Sequence, residues 1–169
     1  MATSLVTNYS FRIGWTFTST TANDVTTDEN SRIGSGSTTD GTTSGKADRI
    51  YRAQLALAGG AVSTLDLAGS LTDAFGSTIT MASVRMMQFT LSNTCSASSV
   101  TIGNASATAF EGWVSAGGTV TVQNGGHLII GGETTVYTVG AGSTDKLKFL
   151  NDDGSDAATI DMVIIGKSA

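Results

Sequence analysis

The second half of this chain is cut into short apolar-rich runs by clusters of glycine, asparagine and aspartate. The runs are Val100 to Gly103, Phe110 to Val114, Thr119 to Val122, His127 to Ile130, Thr134 to Val139, Lys146 to Leu150 and Thr159 to Ile165. Between them lie Gly117-Gly118, Asn124-Gly125-Gly126, Gly131-Gly132, Gly140 to Ser143 and Asn151-Asp152-Asp153-Gly154. Glycine tolerates the positive-φ backbone of tight reversals, and Asn and Asp close turns with their own side chains, so each cluster reads as a turn and each run as a strand. Many short strands with turns about every ten residues predict an all-β, jelly-roll-like antiparallel sandwich rather than βαβ units.

The centre supplies the scaffold, from Val62 to Asn93, preceded by one more strand. Arg49 to Leu57 alternates, with Tyr51, Ala53, Leu55 and Leu57 inward, and Gly59-Gly60 turns the chain into Val62 to Leu67. There Leu65 and Leu67 share a face, with Thr64 and Asp66 opposite. A short strand is expected at Thr78 to Met81, and a brief helical turn at Leu71 to Phe75, where Thr72 and Asp73 offer caps. Ser83 to Leu91 puts Arg85, Met87, Phe89 and Leu91 on one face and Val84, Met86, Gln88 and Thr90 on the other, the mark of a strand covered on both sides.

The N-terminal region differs in character. Residues 9 to 17 alternate strictly, with Tyr9, Phe11, Ile13, Trp15 and Phe17 on one face, which predicts a strand whose apolar face caps the core or meets another subunit. From Thr18 to Asp48 the chain turns to Ser, Thr, Gly, Asn and Asp, with Val25 and Ile33 its sizeable aliphatic side chains. Such a segment builds no core of its own and reads as a long loop or as an extended arm on a neighbouring chain. The expected organisation is therefore residues 1–48 as a strand plus a Ser/Thr/Gly-rich arm, and residues 49–169 as the sandwich domain.

Composition narrows the function classes. A chain of 169 residues is one domain in size, and its charged fraction of 14% with no proline fits β structure better than long surface helices. A net charge of −5, with basic residues such as Arg12, Arg49, Arg85 and Lys146 scattered, argues against a phosphate-binding surface, so no direct nucleic-acid partner is expected. No basic n-region precedes an apolar stretch and no run approaches the ~20 apolar residues a bilayer needs, so the expectation is a soluble product of the cytoplasm with no membrane partner.

Chemistry-bearing residues are sparse. His127 opens an apolar run and would have to be the sole histidine of any triad, whereas a catalytic imidazole needs an orienting carboxylate and a nucleophile around it. The single cysteine, Cys95, makes neither an internal disulfide nor a thiolate cluster, and reads as an inert thiol. Asp152, Asp153 and Asp156 around Gly154 could offer oxygens to Ca²⁺, but they lack the EF-hand alternation and its distal glutamate, and an Asp-Gly hairpin turn accounts for them as well. Glu111 and Glu133 are not placed as an acid and base pair. Gly131-Gly132 and Gly140-Ala141-Gly142 are followed by no Lys-Ser/Thr and open no helix, unlike phosphate loops. Trp15 and Trp113 could stack a sugar, or fill a core or an interface. No catalytic, cofactor-binding or metal residue is assigned, and no enzyme is expected.

One resemblance is carried by Leu65-Asp66-Leu67, by Ser70-Leu71-Thr72-Asp73-Ala74-Phe75-Gly76-Ser77-Thr78-Ile79 followed by a strand ending at Asn93, and by Gly103 and Phe110. Lys146-Leu147 and the closing Ile160-Asp161-Met162-Val163-Ile164-Ile165-Gly166 extend it. These residues, within about 49 to 169, resemble small virion proteins of tailed bacteriophages, of the jelly-roll capsid cement or decoration type. Where related sequences carry a proline-glycine turn, this chain has Asn124-Gly125-Gly126. The resemblance implies a non-enzymatic structural protein on the capsid exterior, a homo-oligomer expected to be a trimer, with the major capsid protein as partner. A receptor- or carbohydrate-binding module of a fibre or tail, and a small single-jelly-roll capsid protein, are the alternative readings.

Overall fold

The computed structural model describes residues 4–21, 24–69, 71–92, 96–97 and 99–168, so Asn93 and Cys95 lie outside the described residues, as does the side chain of Trp15. The alternating runs at residues 9–17 and 49–57 become β1 (Thr7–Thr21) and β3 (Arg49–Leu57), and a third long strand, β2 (Asp24–Thr38), lies between them. There follow β4 (Val62–Asp66), the two-residue β5 (Leu71–Thr72) and β6 (Thr78–Ile79), then β7 (Ser83–Leu91) and β8 (Ser99–Gly103). A single 3₁₀ turn at Ser106–Thr108 precedes β9 (Thr119–Gln123), β10 (His127–Gly131), β11 (Tyr137–Thr138), β12 (Lys146–Asn151) and β13 (Ala158–Lys167).

Two antiparallel sheets form the body. One has the order β10-β7-β13-β3, with β11 also on β7; the other has the order β4-β12-β8-β9. The pairings are nested: β8 with β9, β7 with β10, β4 with β12 and β3 with β13. The eight strands are thus one long hairpin folded across both layers, which the β7–β13 and β8–β12 ladders zip together. Between the sheets lies a core that includes Leu67, Met87, Phe89, Ile102, Leu147, Phe149 and Ile164, all fully buried. At its centre the rings of Phe89 and Phe149 meet edge to face, with centroids 5.6 Å apart.

β7 is the central strand its two-sided apolar pattern predicts, but its faces are not those of strict alternation. Ile165 pairs with Met86 and Gly166 with Val84, so Arg85 is an extra residue on β7, a β-bulge. Val84 therefore joins Met87, Phe89 and Leu91 in the inter-sheet core, and Arg85 leaves the face it was expected to share with them. Glycine is required on both flanks: a Cβ at Gly166 would run into the Ser83 carbonyl and one at Gly131, where φ is +105°, into the Arg85 carbonyl.

Four local expectations change. Phe110 to Val114 is not a strand: the Phe110 amide donates to the Lys146 carbonyl (2.7 Å), the Val114 amide closes a turn on Glu111 (3.0 Å), and Trp113 Nε1 donates to the Phe110 carbonyl (3.0 Å). Of Thr134 to Val139 only Tyr137 and Thr138 are in a ladder, because Thr135 turns back onto the Gly132 carbonyl. Thr78 to Met81 shortens to Thr78–Ile79, since the Met81 amide donates to the Leu67 carbonyl (3.0 Å). Leu71 to Phe75 makes no helical turn: Leu71 pairs with Ile79, and Asp73 Oδ1 accepts from the amides of Phe75 and Ser77, both at 2.8 Å, closing the loop.

Candidate interaction surface

The segment from Thr18 to Asp48, expected as loop or arm, contains β2, and β2 pairs with β1 over all 15 residues. Two aromatic-over-glycine pairs set the register at the foot: Tyr9 lies opposite Gly36 and Phe11 opposite Gly34, and in each the ring occupies the space a glycine Cβ would take. Further out the register sets Ile13 against Arg32, Trp15 against Asn30 and Phe17 against Asp28. In that register the apolar residues at 9–17 of β1 lie opposite only glycine and polar residues of β2.

Its foot is fastened to the sandwich at several points. The outer surface of the first sheet ends in an apolar cluster of Met86, Ile165 and Ala47, against which Leu5, Tyr9, Ile50 and Val163 pack. Next to it the guanidinium of Arg85, only 1% exposed, donates to four backbone carbonyls: Lys46 (2.6 Å, from Nε), Thr135 (3.0 Å), Glu133 (3.3 Å) and Thr43 (3.2 Å). It thereby joins the loop after β2 to the loop after β10, with carbonyl dipoles as its partners. The Glu133 carboxylate accepts from the Ser37 amide (2.7 Å), and Asp48 accepts from the Ser168 amide (2.7 Å) and hydroxyl (2.6 Å).

Along the face of β1 that begins on this cluster, cover disappears. Thr7 is 9% exposed, Tyr9 is half-buried, Phe11 is 49% exposed and Ile13 is 64% exposed. At its foot the apolar face caps the small outer cluster, and among the described side chains Phe11 and Ile13 are left largely exposed. The total accessible area, 9244 Å², agrees with a projecting element, since a compact monomer of 17.2 kDa exposes about 7,800 Å².

The other candidates resolve into structural roles. Asn151 is the buried centre of the Asn151–Asp156 turn: its Nδ2 donates to the carbonyls of Ala58 (3.0 Å), Leu57 (3.3 Å) and Asp156 (2.8 Å), while its Oδ1 accepts from the Asp153 amide (3.1 Å). Asp153 accepts from Ser155 and from the Asp156 amide, and Asp152 Oδ2 from the hydroxyls of Ser99 (2.9 Å) and Thr101 (2.8 Å). Among the described residues no group of three or more His, Cys, Asp or Glu side chains is placed to hold a metal ion. Glu111 closes its own loop by accepting from the Gly117 amide (2.6 Å), whereas Glu133 accepts from the Ser37 amide of β2.

Exposed His127 has Nδ1 3.0 Å from the Thr90 hydroxyl, in a cross-strand row Gln54, Asp161, Thr90, His127 on the outer face of the first sheet. An open depression of about 490 Å³ beside this row is bordered by Arg52, Gln88 and Ala74. Trp113 is half-buried against the core, and the side chain of Trp15, its expected partner in a stacking platform, lies outside the described residues. On the second sheet Lys146 pairs across strands with Asp66; that bond holds the Asp66 carboxyl below its ordinary value and raises the Lys146 ammonium. No helix among the described residues is long and apolar enough to cross a membrane.

No protein-family model, curated protein or solved structure matches this chain. The hairpin was half legible: alternation marks β1, whereas β2 lacks the apolar residues that mark strands. The signal that was there is Gly34-Ser35-Gly36, two glycines at strand spacing that take the rings of the partner strand.

Proposed function

We propose that this chain is a non-enzymatic structural protein of a phage virion, a cement or decoration protein that attaches to the major capsid protein on the capsid exterior and reinforces it as a homo-oligomer, a trimer being the favoured state. The observation that carries the reading is the rooted hairpin with an uncovered apolar face. A sandwich with its core complete gains nothing from a long two-stranded projection unless the projection has a partner, since such a hairpin alone is marginal in water.

Two further observations support it. The antiparallel strands form a two-sheet sandwich, the architecture to which jelly-roll virion proteins also belong. Asn151, Asp153 and Glu111, polar residues at first sight suited to chemistry, are occupied in closing turns. Reinforcement would work by spreading modest contacts over neighbouring subunits, where high effective concentration makes their sum strong.

The test is co-sedimentation of the purified protein with shells of its own phage that lack it. Saturable binding at a fixed number of copies per shell subunit is expected. Protein that remains in the supernatant overturns the proposal, and a one-to-one copy number in the shell wall itself points to a small single-jelly-roll capsid protein.

A further inference from the structure

We infer that the outer part of the β1 face, beginning at Phe11 and Ile13, is where copies of this chain join one another. This deepens the proposed function, which supplies the homo-oligomer, by assigning its interface. Three observations single out a second copy as the occupant.

The first is continuity. The same face that is 9% exposed at Thr7 is 64% exposed at Ile13, so a surface the protein already covers at the foot continues outward without cover. The second is area. The chain exposes 9244 Å², roughly 1,400 Å² more than a compact monomer of its mass, and a standard interface removes about 800 Å² from each partner. The third is shape and charge. The stripe is one strand wide, with β2 contributing glycine and polar residues in register, so copies can bring their β1 strands to a shared axis while β2 stays outside. Over residues 7–38 the charges are Arg12, Arg32, Asp24, Asp28 and Glu29, a net of −1 that opposes self-association little. A contact of this kind, repeated around a shared axis, closes on itself and ends in a defined oligomer.

Sedimentation velocity on the full chain at low to high micromolar concentration reads the mass. Wild type is expected as a closed oligomer, and the Phe11→Thr/Ile13→Thr variant, which keeps strand-forming residues, as a monomer with at least about 100-fold weaker association, the loss expected from two large apolar contacts per copy. An unchanged thermal transition and far-ultraviolet spectrum establish that the variant's sandwich is folded. In a Cys95→Ser background, Ile13→Cys is expected to form disulfide-linked dimers on mild oxidation, which places two β1 strands side by side. A monomeric wild type, a variant that stays oligomeric, or failure of Ile13→Cys to cross-link overturns the inference. Binding to shells is scored separately: an oligomer that binds shells but survives Phe11→Thr/Ile13→Thr sinks this inference alone, and a hairpin-joined oligomer that ignores shells sinks the proposed function alone.

Discussion

Replacing Arg85 by methionine tests how the hairpin is held. The side chain keeps its volume and apolar stem but loses the donors that reach the carbonyls of Lys46 at 2.6 Å, Thr135 at 3.0 Å, Thr43 at 3.2 Å and Glu133 at 3.3 Å. Hydrogen bonds from a charged donor contribute about 1.5–3 kcal/mol each. Counting only the two shortest, the loss is about 3–6 kcal/mol. Relief from burying a guanidinium offsets part of it, and the freed carbonyls belong mostly to exposed residues that water can reach. A net destabilisation of about 2–4 kcal/mol remains, or a fall in Tm of roughly 4–16 °C for a chain of this size.

The assay has two readouts: the thermal transition by circular dichroism, and the rate of tryptic cleavage at Lys46, an exposed residue in the loop that Arg85 holds. Cleavage should accelerate more than global unfolding accounts for, because the clip is local. Arg85→Lys, with a smaller donor set and no planar fork, should fall between wild type and Met. If Arg85→Met melts within 2 °C of wild type, roughly the limit of a 1 kcal/mol effect, and Lys46 is cut no faster, the clip does not hold the hairpin foot.

Other outcomes follow from the same reasoning. Asn151→Ala should cost about 2–4 kcal/mol by denaturant midpoint, because it removes a buried hub of four hydrogen bonds, each worth about 1 kcal/mol; a change under about 0.5 kcal/mol, the ordinary range for surface substitutions, would contradict that role. Gly131→Ala should destabilise by several times the ~1 kcal/mol of an ordinary strand substitution, since its φ of +105° and the Arg85 carbonyl both exclude a Cβ; a neutral effect would mean that the bulge relaxes. The Asp66 and Lys146 pair has a worked sign. Asp66, with its pKa lowered in the folded state, adds stability above the ordinary carboxyl value that is lost as pH falls through the folded value. Lys146, with its pKa raised, adds stability below the ordinary ammonium value that is lost as pH rises through the folded value. Lys146→Gln should therefore flatten the stability profile at both ends, and a curve parallel to wild type throughout would refute the linkage.

Legibility in the sequence followed burial. The bounds of Arg49–Leu57 were readable to the residue because a sandwich imposes alternation wherever a strand has one face on the core, and those of Ser83–Leu91 because a strand covered on both faces is apolar on both. Phe110 to Val114 has an equally apolar composition, yet Gly112 and the Trp113 bond to its own neighbourhood make it a turn, a choice settled by packing rather than by pattern. The bulge at Arg85 was hidden because a period of two has no room for an extra residue; an arginine inside an apolar run was its only sign. β2 was hidden for the opposite reason, since its ladder with β1 leaves few apolar side chains to mark it. The surface proposed for assembly was legible as an apolar face, but whether it was covered depended on where the hairpin leaves the sandwich, and that only the fold supplies.

The most direct test of the account is a cryo-electron microscopy map of the virion. The expected density is a two-sheet β-sandwich on the outside of the shell, seated on major capsid protein subunits, with hairpins of adjacent copies meeting along β1. A map with no such density on the shell, or with the sandwich at the tail and its hairpin free in solvent, would contradict it.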